Sequence, residues 1–250
     1  MTDILCGKVA VIVGGSGGIG QALLDHLVKK YPNIHIVVPL RASSKTPEIS
    51  HNQSQKIDFI NWDPKEEQTL IDGLAPYSDQ RFDLCLSAIG ALHTETLTPE
   101  KKLAQLDIDH FLWSYECNAV SHAMILKHIA PKMNKKEPSI MGFLSARVGS
   151  IGDNQLGGWY SYRAAKAALN MIIKTAAIEM KRFNKHLSII GIHPGTVDTH
   201  LSKPFQSHVP EHKLFTPDQS VRYIFDNIID KVTVENSGQV FAWDGEKIPE

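Results

Sequence analysis

Short runs of apolar, mostly β-branched residues alternate along the chain with longer segments in which apolar residues recur every three or four positions. The short runs have the composition of strands, and the longer segments have the periodicity of amphipathic helices. Because the strands are apolar on both faces, the alternation predicts a doubly wound α/β fold, a single parallel sheet of about seven strands flanked by helices. The predicted strands are 8–13, 34–40, 56–62, 82–89, 139–144, 186–193 and 238–243, and the predicted helices are 18–31, 66–75, 104–133, 159–183 and 217–230.

Two polar segments lie between these elements without dividing the pattern. Residues 41–55 are loosely composed and polar, which indicates a loop. Residues 199–219 are long and irregular for a connection, and such a segment after a strand is typical of a lid or a binding loop. Since no break in composition occurs, we expect residues 1–250 to form a single domain.

Composition and charge narrow the class of partner. The chain has 250 residues and a net charge of −1, which argues against a nucleic-acid or membrane surface. Three scattered cysteines, Cys6, Cys85 and Cys117, fit a reducing compartment better than a disulfide framework. The N-terminal residues lack the basic region of a signal peptide, and no apolar stretch approaches the roughly 20 residues of a membrane span. We therefore expect a cytoplasmic protein that acts on a small molecule.

Twelve histidines raise the question of a metal site. His208 and His212 have the spacing of a helical pair, but Pro210 disfavours a helix between them. The sequence therefore predicts no metal. We expect His193 and Cys117 to be packed structural residues.

A glycine-rich loop, GGSGGIG, follows the first predicted strand and precedes the first predicted helix. A dinucleotide pyrophosphate needs a tight turn, a backbone free of side chains where it approaches, and a helix N-terminus pointing at it. The spacing of Gly14, Gly18 and Gly20 meets these needs, although a glycine-rich turn alone is common. The position between strand and helix favours a nucleotide site, which would also include Ser16 and Ile19.

The end of the second predicted strand, VVPLRAS, bears on the choice of cofactor. In dinucleotide folds an acidic residue there binds the free 2′-hydroxyl of NAD, whereas an arginine accommodates the 2′-phosphate of NADP. This chain has no Asp or Glu at that place, and Arg41 follows Leu40. The pattern favours NADP(H) over NAD(H), the alternative being a solvated arginine at a strand end.

The segment GWYSYRAAKAALN contains two tyrosines and a lysine at the start of a predicted helix. Tyr162 and Lys166 are four residues apart and share a helix face, whereas Tyr160 and Lys166 are six apart and do not. An ammonium close to a phenol stabilises the phenolate and lowers the pKa of the tyrosine, which would make Tyr162 a proton donor and acceptor. On its own, such a pair is also common in helices without a function.

Five motifs occur in order along the chain, namely GGSGGIG, NAV, SARVGSI, YSYRAAK and HPGTVDT. Their combination, which spans essentially the whole chain, resembles the short-chain dehydrogenase/reductase family. The stretches LSARVGSIGDN, GGWYSYR and WDGEKIP are most similar to its C-factor and carbonyl-reductase group. The resemblance implies a Rossmann fold with strand order 3-2-1-4-5-6-7 and NADP(H)-dependent interconversion of a carbonyl and an alcohol.

The resemblance also implies roles for the matching residues. Tyr162 would be the general acid/base, and Lys166 would contact the nicotinamide ribose. Asn118 would support a proton-relay water, and a serine near position 145 would hold the substrate oxygen. Further cofactor contacts would come from Asp63, Ala88, Gly90, Pro194, Val197 and Thr199.

The chain departs from the family pattern most clearly at the serine. The family has Ser-Ser after the fifth strand, whereas this chain has Ser145-Ala146, so Ala146 stands at the catalytic position. Ser145 would take the role if the turn shifts by one residue, and otherwise it is structural; Ser150 is a further candidate. Pro64, which follows Asp63, lacks the N–H that would meet an adenine ring.

The long helices predict self-association. Residues 104–133 and 159–183 are apolar or small on more than one face, and a helix of that kind needs a second partner. Similar family members pair these helices across a two-fold axis, so we expect a homodimer or homotetramer. Trp159 and Tyr160 would then pack either against substrate or against a subunit partner.

Two other functions remain open from the sequence. The C-factor similarity and Ala146 both permit a nucleotide-binding signalling or regulatory protein with weak or vestigial catalysis. A partner-binding module that uses residues 199–219 is a third hypothesis.

Overall fold

The computed structural model describes residues 7–50 and 52–250. The predictions for the N-terminal segment and for Cys6 lie outside the described residues, as does the side chain of His208 in the histidine pair that the sequence argued against as a metal site. The strands are β1 (Val9–Val13), β2 (His35–Leu40), β3 (Lys56–Asn61), β4 (Leu84–Ser87), β5 (Ser139–Leu144), β6 (Leu187–His193), β7 (Thr196–Val197), β8 (Leu214–Phe215) and β9 (Val240–Ala242). The longer helices are α1 (Gly18–Lys30), α2 (Glu67–Leu74), α3 (Ile108–Tyr115), α4 (Ser121–Ile129), α5 (Tyr160–Met180) and α6 (Pro217–Ile224).

Seven of these strands form one sheet in the order β3-β2-β1-β4-β5-β6-β9, and each neighbouring pair is parallel. The predicted doubly wound fold and strand order are therefore confirmed, with β9 as the seventh strand. All five residues of β1 are buried, as expected for a central strand that is covered on both faces.

Helices cover both faces of the sheet because side chains alternate along each strand. Val11 and Leu70 belong to a core cluster under α2, α4 and α5, whereas Ile12, Leu27 and Ile224 belong to a second cluster under α1 and α6. The two clusters fix the carboxyl ends of β1, β4, β5 and β6 along one edge of the sheet.

The helical segment predicted at 104–133 is interrupted at its centre. A π-helical turn, Glu116–Val120, joins α3 to α4, and short 3₁₀ turns flank the whole segment. Such π turns frequently occur at functional sites, because the extra residue turns a side chain out of the regular helical positions. Here the turn contains Asn118.

The two predicted irregular segments lie near the same edge of the sheet. The described part of 41–55 contains neither helix nor strand, whereas 199–219 contains two short 3₁₀ helices, β8 and the start of α6. β8 pairs with β7 in a second, two-stranded sheet, which attaches the segment to the chain that leaves β6. Within the described ranges, none of the helices has the length and apolar character needed to cross a bilayer.

Candidate active site

The glycine loop connects β1 to α1 at the carboxyl edge of the sheet. Gly14 has a φ of +83°, a conformation that favours glycine, and a Cβ on Gly20 would lie only 2.0 Å from the carbonyl oxygen of Gly14. The turn therefore packs directly against the first turn of α1, and no acidic residue occupies that turn. The N-cap residue Gly17 lines a groove at this edge, so the α1 N-terminus borders the place where a pyrophosphate would bind.

A groove of about 290 Å³ runs from this loop across the ends of the neighbouring strands. The structure brings together residues that the sequence predicted separately, because parallel strands end at one edge of the sheet. Gly18 lines an adjoining surface groove beside Ser16, and Gly20 permits close packing without lining either groove. The predicted residues in the main groove are Gly14, Ser16, Arg41, Asp63, Ala88 and Gly90.

The two residues predicted to recognise the adenosine end line that groove after the adjacent strands β2 and β3. Arg41 follows β2, is exposed, and lines the groove with Ser44. Asp63 follows β3, and its carboxylate Oδ1 already accepts a hydrogen bond of 2.9 Å from the backbone N–H of Lys65. Arg41 thus offers a cation at the groove surface, whereas the Asp63 carboxylate also stabilises its own turn.

A second cavity, of about 340 Å³, adjoins the first at Ala88, Ile89 and Gly90. Tyr162 and Lys166 line it from α5, and Ile19 lines it from α1. The predicted nicotinamide residues Pro194, Val197 and Thr199 line it as well. The two spaces form one continuous site along the carboxyl edge of the sheet.

Tyr162 and Lys166 lie side by side, as their spacing predicts. The Lys166 Nζ lies 5.7 Å from the centroid of the Tyr162 ring and donates a 2.9 Å hydrogen bond to the carbonyl oxygen of Leu144. Both side chains are buried, whereas Tyr160 is partly exposed and is not among the residues that line the cavity. Tyr162, and not Tyr160, therefore lies beside Lys166 in the lining of this cavity.

Burial controls the pKa of both groups. It lowers the pKa of Lys166 to about 7 and raises the pKa of Tyr162 above its usual value near 10. The prediction that Lys166 lowers the pKa of Tyr162 is wrong for the chain by itself, because desolvation of the phenol dominates. Tyr162 therefore retains its proton at neutral pH.

The two candidate serines have different surroundings. Ser145 lines the cavity, and its hydroxyl donates a 2.6 Å hydrogen bond to Oδ1 of Asn170 on α5. Ser150 is buried away from the cavity lining, and its Oγ accepts a hydrogen bond from the backbone N–H of Asp153. Ala146 lines the cavity at the position where the family has its serine.

Asn118 lies behind the strand end rather than on the open cavity wall. Its amide exchanges two hydrogen bonds with the backbone of Ala91 and donates another to the carbonyl of Ser114. A Cβ on Gly90 would lie 3.1 Å from Asn118 Oδ1 and 3.4 Å from Lys166 Nζ. Asn118 therefore holds the segment after β4 close to Lys166.

The outer wall of the cavity is aromatic and aliphatic. Trp159 packs against Phe205 and Tyr162, with ring centroids 5.0 Å and 6.3 Å apart. Phe205 belongs to the segment 199–219, which the sequence predicted as a lid or binding loop. Of the two predicted positions for Trp159, the structure favours the substrate side. The other apolar residues of this wall are Leu92, Val148, Leu201 and Val209.

Glu100 is a site residue that the sequence analysis missed. Its buried carboxylate accepts a hydrogen bond from the backbone N–H of Ser161 in the first turn of α5, and its carbonyl accepts one from Trp159. His110 Nδ1 lies 3.4 Å from the same carboxylate. The polar segment around Glu100 gave no signal of burial, because the contact joins residues about 60 positions apart.

His193 and Cys117, which the sequence predicts to be packed structural residues, both line the site. His193 lines the second cavity, and Cys117, which is partly exposed, lines the first. Burial raises the pKa of the Cys117 thiol, which keeps it protonated. In the described part of the chain, no cluster of three or more His, Cys, Asp or Glu side chains is placed to hold a metal ion.

The chain is similar in sequence to known oxidoreductases. The family model described as short chain dehydrogenase matches residues 8–210. The chain is 35% identical over 144 residues to 1-hydroxy-2-glutathionyl-2-methyl-3-butene dehydrogenase of Rhodococcus sp. (strain AD45), a match that covers 58% of this chain and 60% of that protein. It is 27% identical over 147 residues to the C-signal protein of Myxococcus xanthus, which covers 59% of this chain and 82% of that protein.

Solved structures share the fold over nearly the whole chain. A short-chain dehydrogenase/reductase of Burkholderia multivorans with bound NADP superposes with a TM-score of 0.78 at 21% identity, covering 97% of this chain and 99% of that one. The carbonyl reductase Sniffer of D. melanogaster gives 0.76 at 19% identity, covering 98% and 100%. With most of its length matched by the family model, the chain belongs to the short-chain dehydrogenase/reductase family of oxidoreductases.

Proposed function

We propose that this protein is an NADP(H)-dependent oxidoreductase that interconverts a carbonyl and an alcohol at Tyr162. The observation that carries the proposal is the buried pair of Tyr162 and Lys166, which lines an apolar cavity continuous with the glycine-loop groove. A proton donor, a neighbouring cation and a nucleotide-shaped groove at one sheet edge are the parts that hydride transfer needs.

The residues along the groove fit a nicotinamide dinucleotide. The glycine loop leaves a side-chain-free turn at the α1 N-terminus, where a pyrophosphate would be held. Lys166 would hold the nicotinamide ribose, and Pro194, Val197 and Thr199 would hold the nicotinamide end. When bound, the cofactor supplies or accepts the hydride.

NADP(H) is the proposed form of the cofactor. Arg41 is exposed at the groove wall beside Ser16 and Ser44, and a guanidinium suits a doubly charged 2′-phosphate. The NADP bound in the Burkholderia multivorans structure supports the same choice. We expect Arg41→Ala to raise the Kd for NADPH about tenfold or more and to leave the Kd for NADH within twofold, as measured by fluorescence titration.

Tyr162 is the proton donor in reduction and the proton acceptor in oxidation. Its raised pKa keeps the hydroxyl protonated at neutral pH, so in reduction it donates that proton to the oxygen of the reacting carbonyl. In alcohol oxidation it must first lose the proton, which alkaline pH favours. Segment 199–219 and Trp159 keep water from the oxygen while the charge develops.

The test compares Tyr162 with Tyr160, two residues earlier in the chain. NADPH consumption is measured with a panel of aryl ketones, aliphatic ketones and aldehydes for the wild type, Tyr162→Phe and Tyr160→Phe. We expect Tyr162→Phe to lower kcat by at least about 100-fold with an unchanged Kd for NADPH, and Tyr160→Phe to retain activity within about threefold. Unchanged turnover by Tyr162→Phe would rule out the proposed acid/base.

A second candidate function is a nucleotide-binding signalling or regulatory protein with vestigial catalysis. Ala146 at the serine position and the similarity to the C-signal protein favour it. NADPH binding by calorimetry without turnover of any carbonyl or alcohol would support this function over the first. Absence of both NADPH and NADP⁺ binding would exclude the two functions together.

The proposed setting is the cytoplasm, with a small carbonyl or alcohol as the partner. Cys85 and Cys117 are free thiols, which fits a reducing compartment. The cavity at Tyr162 has the size of a small-molecule site.

A further inference from the structure

The cavity around Tyr162 lacks the hydroxyl donor that the family pattern supplies. Ala146 offers only a methyl group, and the neighbouring Ser145 hydroxyl is already donated to Asn170 Oδ1 at 2.6 Å. Negative charge develops on the substrate oxygen during reduction, and preorganised donors around such an oxygen are commonly the largest stabilising contribution. A second donor beside Tyr162 must therefore come from another residue of the cavity wall.

His193 lies at the required place in the sheet. It is the last residue of β6, and the parallel pairing of Leu144 with Ile192 puts it directly beside Ser145. Ile189 on β6 belongs to the core cluster under α5, so by alternation His193 lies on the same face as α5. His193 lines the same cavity as Ala146 and Tyr162.

The two ring nitrogens of His193 have different environments. Nδ1 is buried without a hydrogen-bond partner among the described residues, whereas Nε2, which also has no partner there, is not buried. Buried N–H groups without an acceptor are rarer in folded proteins than unpaired acceptors. We therefore assign the proton to Nε2, on the more accessible side of the ring, and the lone pair to Nδ1.

The imidazole is also neutral under ordinary conditions. Burial, together with the nearby guanidinium of Arg147, lowers the pKa of His193 to about 4 against the opposing effect of Asp244. A neutral imidazole donates one hydrogen bond and, unlike imidazolium, does not compete with Tyr162 as the acid. A serine hydroxyl at position 146 would donate the same kind of hydrogen bond.

We propose that the Nε2–H of His193 donates the second hydrogen bond to the substrate oxygen that Tyr162 protonates, in place of the serine absent at Ala146. This inference rests on the proposed function. His193 forms no covalent bond and transfers no proton in this role; it stabilises the charge that develops on the oxygen. In this protein the hydrogen-bond donor would therefore be His193 at the end of β6, instead of a serine at the end of the adjacent strand β5.

The experiment tests whether a serine at position 146 restores the activity that is lost when the His193 side chain is removed. Steady-state reduction of the best carbonyl in the panel is measured for His193→Leu, His193→Gln, Ala146→Ser and the double variant of His193→Leu with Ala146→Ser. His186→Leu is the matched control, since His186 is exposed just before the amino end of the same strand. Thermal melting and the Kd for NADPH are recorded for each variant.

We expect His193→Leu to lower kcat by about 100-fold or more with the Kd for NADPH unchanged, as for loss of an oxyanion donor. His193→Gln, which retains an amide donor at the ε position, should lose less than His193→Leu. Adding Ala146→Ser to His193→Leu should restore kcat at least about tenfold, and Ala146→Ser alone shows what the added hydroxyl does while His193 is still present. The control should match the wild type.

Three results would overturn the inference. These are a His193→Leu variant that does not differ from the control, a double variant that recovers no activity, and a His193→Gln variant as impaired as His193→Leu while both remain folded. In each case an active wild type leaves the proposed function standing. A wild type that reduces no carbonyl removes the proposed function and this inference together.

Discussion

Lys166 is a cation buried at the centre of the site, where its Nζ has one hydrogen-bond acceptor, the carbonyl of Leu144. Desolvation penalises the ammonium, so the pKa falls from 10.5 to about 7 on folding. Between those values the unfolded chain binds a proton that the folded chain does not, and stability therefore rises with pH across that range. The cost of burying Lys166 is complete below pH 7 and disappears as the pH approaches 10.5.

Lys166→Met therefore gives a pH-dependent prediction for the cofactor-free protein. Removing the buried cation should raise the melting temperature at pH 6 to 7, and the gain should shrink by about 1.4 kcal/mol per pH unit on the way to pH 10. Urea unfolding at several pH values measures the difference in free energy. Lys181→Met, at an exposed position after α5, is the control; an equal effect of Lys166→Met at pH 6 and pH 10 would contradict the assignment.

The glycine loop gives a second prediction at the residue scale. An alanine at position 20 favours the helix by its propensity but clashes with the backbone of the loop. Gly20→Ala places a Cβ 2.0 Å from the carbonyl oxygen of Gly14, whereas Gly17→Ala places one 3.5 Å from the same atom. Alanine normally stabilises a helix by about 1 kcal/mol over glycine, which is too little to offset a backbone clash. We expect a clear loss of melting temperature for Gly20→Ala and a small change for Gly17→Ala; equal behaviour would show that the loop relaxes freely.

At the scale of elements, helix α5 positions the main residues of the candidate active site, Tyr162 and Lys166. It begins with an unusual entry, in which Gly157, Gly158 and Trp159 have positive φ values of 64°, 66° and 52°. Positive φ is uncommon outside glycine, so Trp159 is held by its surroundings. Those surroundings are Glu100, through two hydrogen bonds at the helix start, and Phe205 from segment 199–219.

Glu100→Ala tests that control of the helix start. Loss of the buried carboxylate leaves the Ser161 N–H without its acceptor, and an orphaned buried group of this kind costs about 1–3 kcal/mol. We expect a lower free energy of unfolding and, because Trp159 and Tyr162 follow directly, a lower kcat. Glu95→Ala, at an exposed position in the same segment, should leave both unchanged; the same small effect for the two variants would contradict the role.

At the scale of the molecule, one side of the protein carries exposed apolar side chains in stripes. Ile108 and Leu112 on α3 are 77% and 64% exposed, and Met171 and Ile178 on α5 are 65% and 56% exposed. The spacings of four and seven residues put each pair on one helix face. Large exposed apolar patches mark interaction surfaces, which supports the predicted homodimer or homotetramer.

Sedimentation equilibrium tests the prediction of self-association. The wild type should sediment as a dimer or tetramer, and Leu112→Asp combined with Met171→Asp should shift it to monomer because two charges would be buried at the interface. Ile151→Asp, at an 80% exposed loop position, is the control and should keep the wild-type state. A monomeric wild type would refute the prediction.

The local pattern of apolar residues and motifs in the sequence determined the strands, the helices and several residues of the candidate site. The alternation of apolar runs with helical segments predicted the seven strands and, with the resemblance, their order, because strands and helices leave repeating patterns over a few residues. The glycine loop and the four-residue spacing of Tyr162 and Lys166 are equally local, and parallel strands bring such residues to one edge of a sheet.

Tertiary structure alone decided the contacts and charges of the site. The sequence showed Ser145 and Ser150 but not that the Ser145 hydroxyl is hydrogen-bonded to Asn170. It showed His193 but not that this residue lines the cavity of Tyr162 with a ring nitrogen that has no hydrogen-bond partner among the described residues. It predicted a lowered pKa for Tyr162 from the neighbouring lysine, whereas burial raises it. These contacts and this pKa depend on which distant residues surround a side chain and exclude water from it. Such burial produces no periodic pattern in the sequence, so the sequence could not predict it.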